Sequence, residues 1–225
     1  NSSIKIQSKQ RIAIVGPTGA GKTTFASLIP RFYDIKNGEI LIDGKNVKEY
    51  TLKTLRGNIG LVLQDPFLFN ESVKDNIRFG RWDASDTEIF TITQKIGIHD
   101  FISQLPHGYE TKVGERGTIL SVGQCQLIAI ARTLLNNPTI LILDEATSSV
   151  DAYSELQIQR ALDELLKNRT CIIIAHRFST IHSADKILVM EYGQIVQQGT
   201  HKELIQQPGL YSKYYKMQFA EREIN

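Results

Sequence analysis

Nine consecutive residues carry the clearest chemistry in this sequence. Gly16-Pro17-Thr18-Gly19-Ala20-Gly21-Lys22-Thr23-Thr24 fits the pattern G-x-x-x-x-G-K-[ST], a loop that wraps phosphate. Glycines at 16, 19 and 21 let the backbone take positive φ and turn its N–H groups inward. Together with a helix N-terminus, those groups form a concave anion site that suits a triphosphate. Lys22 is then placed to reach the β- and γ-phosphates, and the Thr23 hydroxyl to ligate Mg²⁺. The flanking residues supply the context this loop needs. Arg11-Ile12-Ala13-Ile14-Val15 reads as a buried strand, and Phe25-Ala26-Ser27-Leu28-Ile29 continues at helical spacing.

A second constellation is Leu141-Ile142-Leu143-Asp144-Glu145, an apolar strand whose end delivers adjacent carboxylates. Opposite a phosphate loop, that pair suits two tasks. Asp144 would orient metal-bound water, and Glu145 would act as general base on the attacking water. Strand-end acids also cap helices, so this assignment draws its weight from the loop upstream. Between the two motifs lies Leu120-Ser121-Val122-Gly123-Gln124, a helix start that offers N–H groups and a hydroxyl to an anion.

The elements that must hold these residues alternate in type. After the first helix, Asn37-Gly38 and Asp43-Gly44 bracket a strand, so antiparallel strands are inserted early and the sheet is mixed. Leu52 to Leu55 precede a strand at Ile59 to Leu63, which Pro66 stops. From Ser72 to about Asn137 the pattern is helical, with segments from Ser72, Asp86 and Asp100 and a long helix from Ser121 to Leu135. That last helix carries Leu127, Ile130, Ala131 and Leu134 as an apolar stripe, with Ser121 placed to cap it. Then β/α alternation resumes: strand Ile140 to Asp144, helix Tyr153 to Lys167 facing inward through Leu156, Ala161, Leu162, Leu165 and Leu166, and strand Thr170 to Ala175. Strands Lys186 to Met190 and Gln194 to Gln198 flank Tyr192-Gly193 as a hairpin, and helices over His201 to Gln206 and Leu210 to Met217 follow. At the other end, Ile4-Lys5-Ile6 alternates as a short strand would.

Composition narrows the class. A content of 41% hydrophobic and 22% charged residues suits a globular domain, and a net charge of +2 with no basic block disfavours nucleic acid. The apolar runs are too short to span a bilayer. Cys125 and Cys171 have neither metal-ligand spacing nor disulfide density, which makes a reduced, cytosolic setting the default. Asn1 with no signal peptide after it suggests a piece of a longer protein.

The order of phosphate loop, Gln64, Leu-Ser-Val-Gly-Gln at 120–124, Asp144-Glu145 and His176 resembles the nucleotide-binding domain of ATP-binding cassette (ABC) transporters over nearly the whole chain. Phosphate loops are widespread; the helix opening at Ser121 is the specific part. The resemblance implies that Gln64 touches Mg²⁺ and the attacking water and couples the site to a membrane domain. It implies that Ser121, Gly123 and Gln124 meet the γ-phosphate held by an opposite subunit. Ser148-Ser149-Val150-Asp151 would cross the dimer interface, and His176 would contact the γ-phosphate. Gln64 to Asn70, Asp75-Asn76-Ile77 and Val113-Gly114-Glu115-Arg116-Gly117 look like the exporter branch, the last stretch being a loop that touches coupling helices.

The sequence departs from the family in three places. Val122 replaces the usual first glycine after the serine, and Cys125 and Leu127 stand where arginines are usual. Only fifteen residues precede Gly16 and none is aromatic, so the family's adenine-stacking aromatic is not among them. The expectation is an α/β phosphate-loop NTPase core with a mixed sheet, inserted antiparallel strands and an α-helical subdomain. The core would take residues 1–71 and 138–225, and the helical subdomain about 72–137. Its function would be to bind and hydrolyse MgATP within a head-to-tail dimer, paired with the same or a different nucleotide-binding domain. It would thereby drive a fused or separate transmembrane exporter from the cytoplasmic face of a membrane. The rival is a soluble ABC-type ATPase with no membrane partner.

Overall fold

The computed structural model describes residues 3–63, 65–144, 150–175 and 178–218. In chain order the strands are β1 (Arg11–Val15), β2 (Leu41–Ile42), β3 (Lys45–Asn46), β4 (Ile59–Val62), β5 (Ile140–Asp144), β6 (Thr170–Ile174), β7 (Lys186–Glu191) and β8 (Gln194–Gly199). The α-helices are α1 (Lys22–Leu28), α2 (Leu52–Gly57), α3 (Val73–Arg78), α4 (Asp86–Lys95), α5 (His99–Ser103), α6 (Val122–Asn136), α7 (Ala152–Leu166), α8 (Phe178–Ser183), α9 (His201–Gln206) and α10 (Leu210–Gln218). The chain forms two compact units, one of residues 1–59, 140–146 and 169–225, the other of 60–139 and 147–168.

The first unit is built on one sheet with strand order β4-β5-β6-β1-β7-β8, of which β4 contributes its first residue, Ile59, to this unit. β1 is central and pairs in parallel with β6 on one side and β7 on the other. A parallel strand covered on both faces must be apolar throughout. Ile12, Ala13, Ile14 and Val15 are accordingly fully buried. β8 returns antiparallel to β7, which makes the sheet mixed. Beside it, β2 and β3 form a separate two-stranded antiparallel hairpin turned by Asp43 and Gly44, both at positive φ. The core under β1 and β7 gathers Ala13, Val15, Ala175, Ile181, Ile187, Val189, Leu204, Tyr211 and Tyr215. Among the described residues, 3–7 join no strand, so the alternation at Ile4 to Ile6 does not become one. Helix α8 was not legible in the sequence.

The second unit is helical and turns on α6. Ser121 caps that helix reciprocally with Gln124: the Gln124 N–H donates to the Ser121 hydroxyl at 3.2 Å, and the Ser121 N–H donates to Gln124 Oε1 at 2.9 Å. Leu127, Ile130, Ala131 and Leu134 are all buried, as their spacing requires. α7 packs on α6 through Ile158, Ala161, Leu162 and Leu165, whereas Leu156 is 51% exposed. The inward face of α7 therefore starts at Ile158 and not at Leu156, the set that keeps an i, i+3, i+4, i+7 repeat. The packing of α7 on α6 also draws residues 147–168 into this unit, while 60–71 join it ahead of α3.

Asn76 and Arg132 fix the segment 67–72. Asn76 Oδ1 accepts from the Phe69 N–H and from Arg132 Nη2, both at 2.9 Å, while Nδ2 donates to the Phe69 and Ser72 carbonyls at 2.9 and 3.1 Å. Arg132 Nε donates to the Asn76 carbonyl at 2.8 Å and Nη1 to the Phe67 carbonyl at 2.9 Å. Burial pulls the Arg132 guanidinium down to about 10. A fully buried amide that serves three backbone groups and a cation leaves several groups unpaired when it is removed. Asn76→Ala is therefore expected to cost about 2–4 kcal/mol of stability. Urea unfolding of the purified protein measures this, and a midpoint equal to wild type would show that the network carries no net stability.

Candidate nucleotide site

β1 ends at Gly16, where the chain must pass within touching distance of β7. A Cβ at Gly16, whose φ is 151°, would lie 2.2 Å from the Met190 carbonyl oxygen, so no other residue fits there. The loop then turns through Gly19 and Gly21 at φ 80° and 91°. Gly21, left-handed, sits at the N-cap of α1 without a side-chain cap, so no side chain competes for the first N–H groups of that helix. Ala20 is buried and closes the turn by donating its N–H to the Pro17 carbonyl at 3.1 Å, while Pro17, Thr18 and Gly19 face solvent. Thr23 and Thr24 are exposed on the first turn of α1.

Lys22 lies under this arch, only 8% exposed. Its Nζ donates to the Gly16 carbonyl at 2.8 Å and to the Pro17 carbonyl at 3.0 Å. Burial lowers its pKa from 10.5, and the Asp144 carboxylate opposes that shift. A lysine that satisfies two loop carbonyls props the loop open and keeps a cation at its floor. From the neighbouring end of β5, Asp144 reaches the loop: Thr23 Oγ1 donates to Asp144 Oδ2 at 3.2 Å. The structure thus joins residues 121 positions apart in sequence into one cluster of hydroxyl, carboxylate and ammonium. A hydroxyl and a carboxylate are the oxygen donors that Mg²⁺ accepts, so the residues present fit that ion.

Of the remaining sequence-predicted residues, Gln64, Glu145, Ser148, Ser149 and His176 lie outside the described residues. Glu145 directly follows Asp144, and His176 follows Ala175, whose N–H donates to the Ile14 carbonyl of β1 at 3.0 Å. Ser121, Gly123 and Gln124 sit in the helical unit at the start of α6. Ser121 is exposed, and Gly123 is buried against α7, where a Cβ would lie 2.9 Å from Ser154 Cβ and 3.3 Å from Val150 Cγ1. Asp151 caps α7 by accepting from the Tyr153 and Ser154 N–H groups at 3.1 and 3.0 Å, with the latter bond leading the fall in its carboxyl pKa.

The departures from the family pattern have distinct surroundings. Val122 is 51% exposed in the first helical position of α6, where its φ is not positive, so a Cβ is tolerated by its own chain. Cys125 and Leu127 do not share that exposed face; both are buried. Cys125 lies against Gly117, where a Cβ would come within 2.7 Å of Sγ, and burial pushes its thiol up. The loop 113–117 is therefore seated on the side chain at position 125, a contact that sequence reading missed because only the fold brings these residues together.

A parallel-cored sheet with its glycine arch at the end of the central strand defines this chain as a phosphate-loop nucleotide-binding domain. The family model for ABC transporters matches residues 1–148, and the chain belongs to that family. It is 53% identical over 216 residues to proteins of Staphylococcus aureus strains bovine RF122 / ET3-1 and NCTC 8325 / PS 47 that are named as multidrug export ATP-binding/permease proteins. The match covers 96% of this chain and 37% of each relative. A solved structure described as a bacterial Atm1-family ABC exporter with ATP bound superposes with a TM-score of 0.87 at 46% identity, over 95% of this chain and 37% of that one. The chain thus spans well under half the length of the relatives it matches.

Two outcomes follow from the geometry of Lys22. Lys22→Ala is expected to lower ATPase activity on the order of 10²-fold or more, because it removes the cation at the floor of the loop that would face bound phosphates; a rate within about threefold of wild type would remove Lys22 from the site. Only the ammonium form attracts phosphate, and burial makes the ligand-free lysine lose its proton below 10.5. ATP affinity should accordingly begin to fall, as pH rises, before 10.5 is reached. Nucleotide titrations over a rising pH series check this, and an affinity that is flat to 10.5 would contradict it.

Proposed function

We propose that this chain is the engine of an ABC exporter: it binds MgATP on residues 16–24, pairs head to tail with a second nucleotide-binding domain, and hydrolyses the ATP. The observation that carries this reading is the cluster of Lys22, Thr23 and Asp144 at the end of the central sheet. Gly16, Thr18, Gly19, Gly21 and Thr24 present backbone N–H groups to the phosphates, Pro17 and Ala20 close the turn that aims them, and Lys22 exchanges its two carbonyl partners for phosphate oxygens. Thr23, Asp144 and Gln64 hold Mg²⁺, which when bound neutralises charge on the phosphates. Glu145 takes the proton of the attacking water, and His176 and Gln64 orient the γ-phosphate and that water.

In the partner's site, Ser121, Gly123 and Gln124 meet the γ-phosphate. The exposed Ser121 at the N-terminus of a fifteen-residue helix supports this role. The helical unit carries a run of ring contacts from Phe67 through Phe69 and Phe79 to Trp82, and Phe67, Phe69 and Trp82 are exposed. An apolar surface of this kind beside the loop at 113–117 supports docking of a transmembrane domain, fused or separate. Among the described residues no helix is long and apolar enough to cross a membrane. In this reading the chain works at the cytoplasmic face of the membrane, against that transmembrane domain. Relatives named as joint ATP-binding/permease proteins argue against a soluble ATPase with no membrane partner.

Glu145→Gln keeps the shape of the side chain and loses the base. ATP binding is expected to persist and turnover to fall by about 10²–10⁴-fold, with ATP-bound dimers accumulating. Size-exclusion chromatography with MgATP, alongside phosphate release, tests this, and brisk hydrolysis by the variant would reassign the base. Val122 separates the two kinds of dimer. If the partner is a different subunit with glycine at this position, Val122→Gly in the isolated full-length protein raises ATPase activity. If two copies of this chain suffice, wild type is fully active and the glycine adds nothing.

A further inference from the structure

Among the described residues of the helical unit, buried polar side chains are paired, with one exception. Ser72, Asn76, Thr93, Thr111 and Thr133 are each buried, and each is joined to a neighbour by a side-chain hydrogen bond. Gln126, in the second turn of α6, is only 8% exposed, and among the described residues its amide has no hydrogen-bond partner. A primary amide brings two donors and an acceptor, and leaving them unpaired away from water is costly. Such groups are rare enough in folded proteins that each calls for a cause. Packing offers none, since an apolar side chain of the same length would fill position 126 without that cost.

A complementary group lies on the facing element. Gly123 precedes Gln126 by one turn on the same side of α6, and there the start of α7 comes close: a Cβ at Gly123 would lie 2.9 Å from Ser154 Cβ and 3.3 Å from Val150 Cγ1. Helical side chains lean back over the preceding turn, so the Gln126 side chain runs toward Gly123 and the residues that meet it. Val150 is one of these, half-buried and immediately before the Asp151 cap. Its main chain is also unpaired. Among the described residues neither the Val150 N–H nor its carbonyl has a hydrogen-bond partner, whereas the Asp151 carbonyl already accepts from the Glu155 N–H at 2.9 Å. A residue with its N–H and carbonyl both free is what a glutamine amide can pair in both directions. Gln126 and Val150 belong to the same compact unit.

We infer that Gln126 is a positioning residue for ATP hydrolysis: its amide takes up the Val150 N–H and carbonyl when nucleotide closes the dimer, and so fixes the chain that runs from Asp144 into α7. Glu145 begins that stretch and Val150 ends it. A clamp at Val150 therefore holds the chain of the catalytic carboxylate through the reaction. In the conformation described the amide is unpaired, and pairing on closure favours the closed form by the cost that it relieves. The inference rests on the reading of Glu145 as base in an ATP-bound dimer, and its test separates the two.

The test uses the full-length protein and Gln126→Met, which keeps the length of the side chain and removes the amide. With no nucleotide added, the variant is expected to be more thermostable than wild type, its midpoint rising by about 2–4 °C, because an unpaired buried group has gone. With MgATP its kcat is expected to fall roughly tenfold while KM stays within about twofold, because the clamp forms after binding. The opposite signs separate positioning from a structural role, since a residue that merely fills the core loses stability and activity together. Hydrogen–deuterium exchange reads the contact itself: MgATP should slow exchange at the Val150 amide roughly tenfold in wild type and leave it unslowed in Gln126→Met. A Gln126→Met protein less stable than wild type would show that the amide is already satisfied and would overturn the inference. An unchanged kcat, or a Val150 amide that MgATP protects equally in both proteins, would overturn it too. The underlying reading fails differently: brisk hydrolysis by Glu145→Gln would overturn it, whatever Gln126→Met does to stability.

Discussion

Everything in the sheet-based unit is arranged around one buried ammonium group. Lys22 Nζ is held between the Gly16 and Pro17 carbonyls, with little solvent to share its charge. A cation in that position is costly unless oxygen atoms surround it. The loop must therefore bend so that its carbonyls point down to the lysine and its N–H groups remain free to point outward. The same bend that satisfies the lysine makes the anion site, and glycines are required because the bend uses positive φ.

That constraint propagates outward. The loop can start only where β1 ends, and β1 can be buried on both sides only if parallel strands flank it. β6 then separates β1 from β5, which leaves Asp144 close enough to accept a hydrogen bond from Thr23. The approach of β7 to Gly16 is so tight that the Met190 carbonyl occupies the space of a side chain, and the turn beyond it is tied to Ala20. The helical unit obeys a separate logic, in which the capping box of α6 sets Ser121 at the surface while Asn76 and Arg132 pin segment 67–72 beneath.

How much of this was legible in the sequence depended on range. The phosphate loop, the strand before it and the helix after it are contiguous, so Gly16 to Thr24 could be read from local pattern alone. Ile140–Asp144 and Lys186–Glu191 are apolar runs that a buried sheet demands, and Ser121 with Gln124 announces a helix start. Contacts that the fold creates were not legible. Nothing local says that position 125 lies under Gly117 or that Gly16 meets Met190, whereas the Ile158 face of α7 was open to reading from its i, i+3, i+4, i+7 spacing. The roles of Gln64 and His176 came from family resemblance, because a lone polar residue after a strand has no local signature of its own. Tyr192 is a different case: its turn was read correctly, but the cost of placing tyrosine there becomes visible only with its φ.

If Lys22 holds the loop in a phosphate-ready shape, its hydrogen bonds pass to the nucleotide on binding. The most direct measurement is a structure of the full-length protein with magnesium and a non-hydrolysable ATP analogue. Lys22 Nζ is expected to leave the Gly16 and Pro17 carbonyls for β- and γ-phosphate oxygens, and Thr23 Oγ1 to leave Asp144 for the metal, while the backbone of residues 16–23 stays where it is. A nucleotide bound with Lys22 still on both carbonyls, or a loop that must refold to admit phosphate, would contradict it.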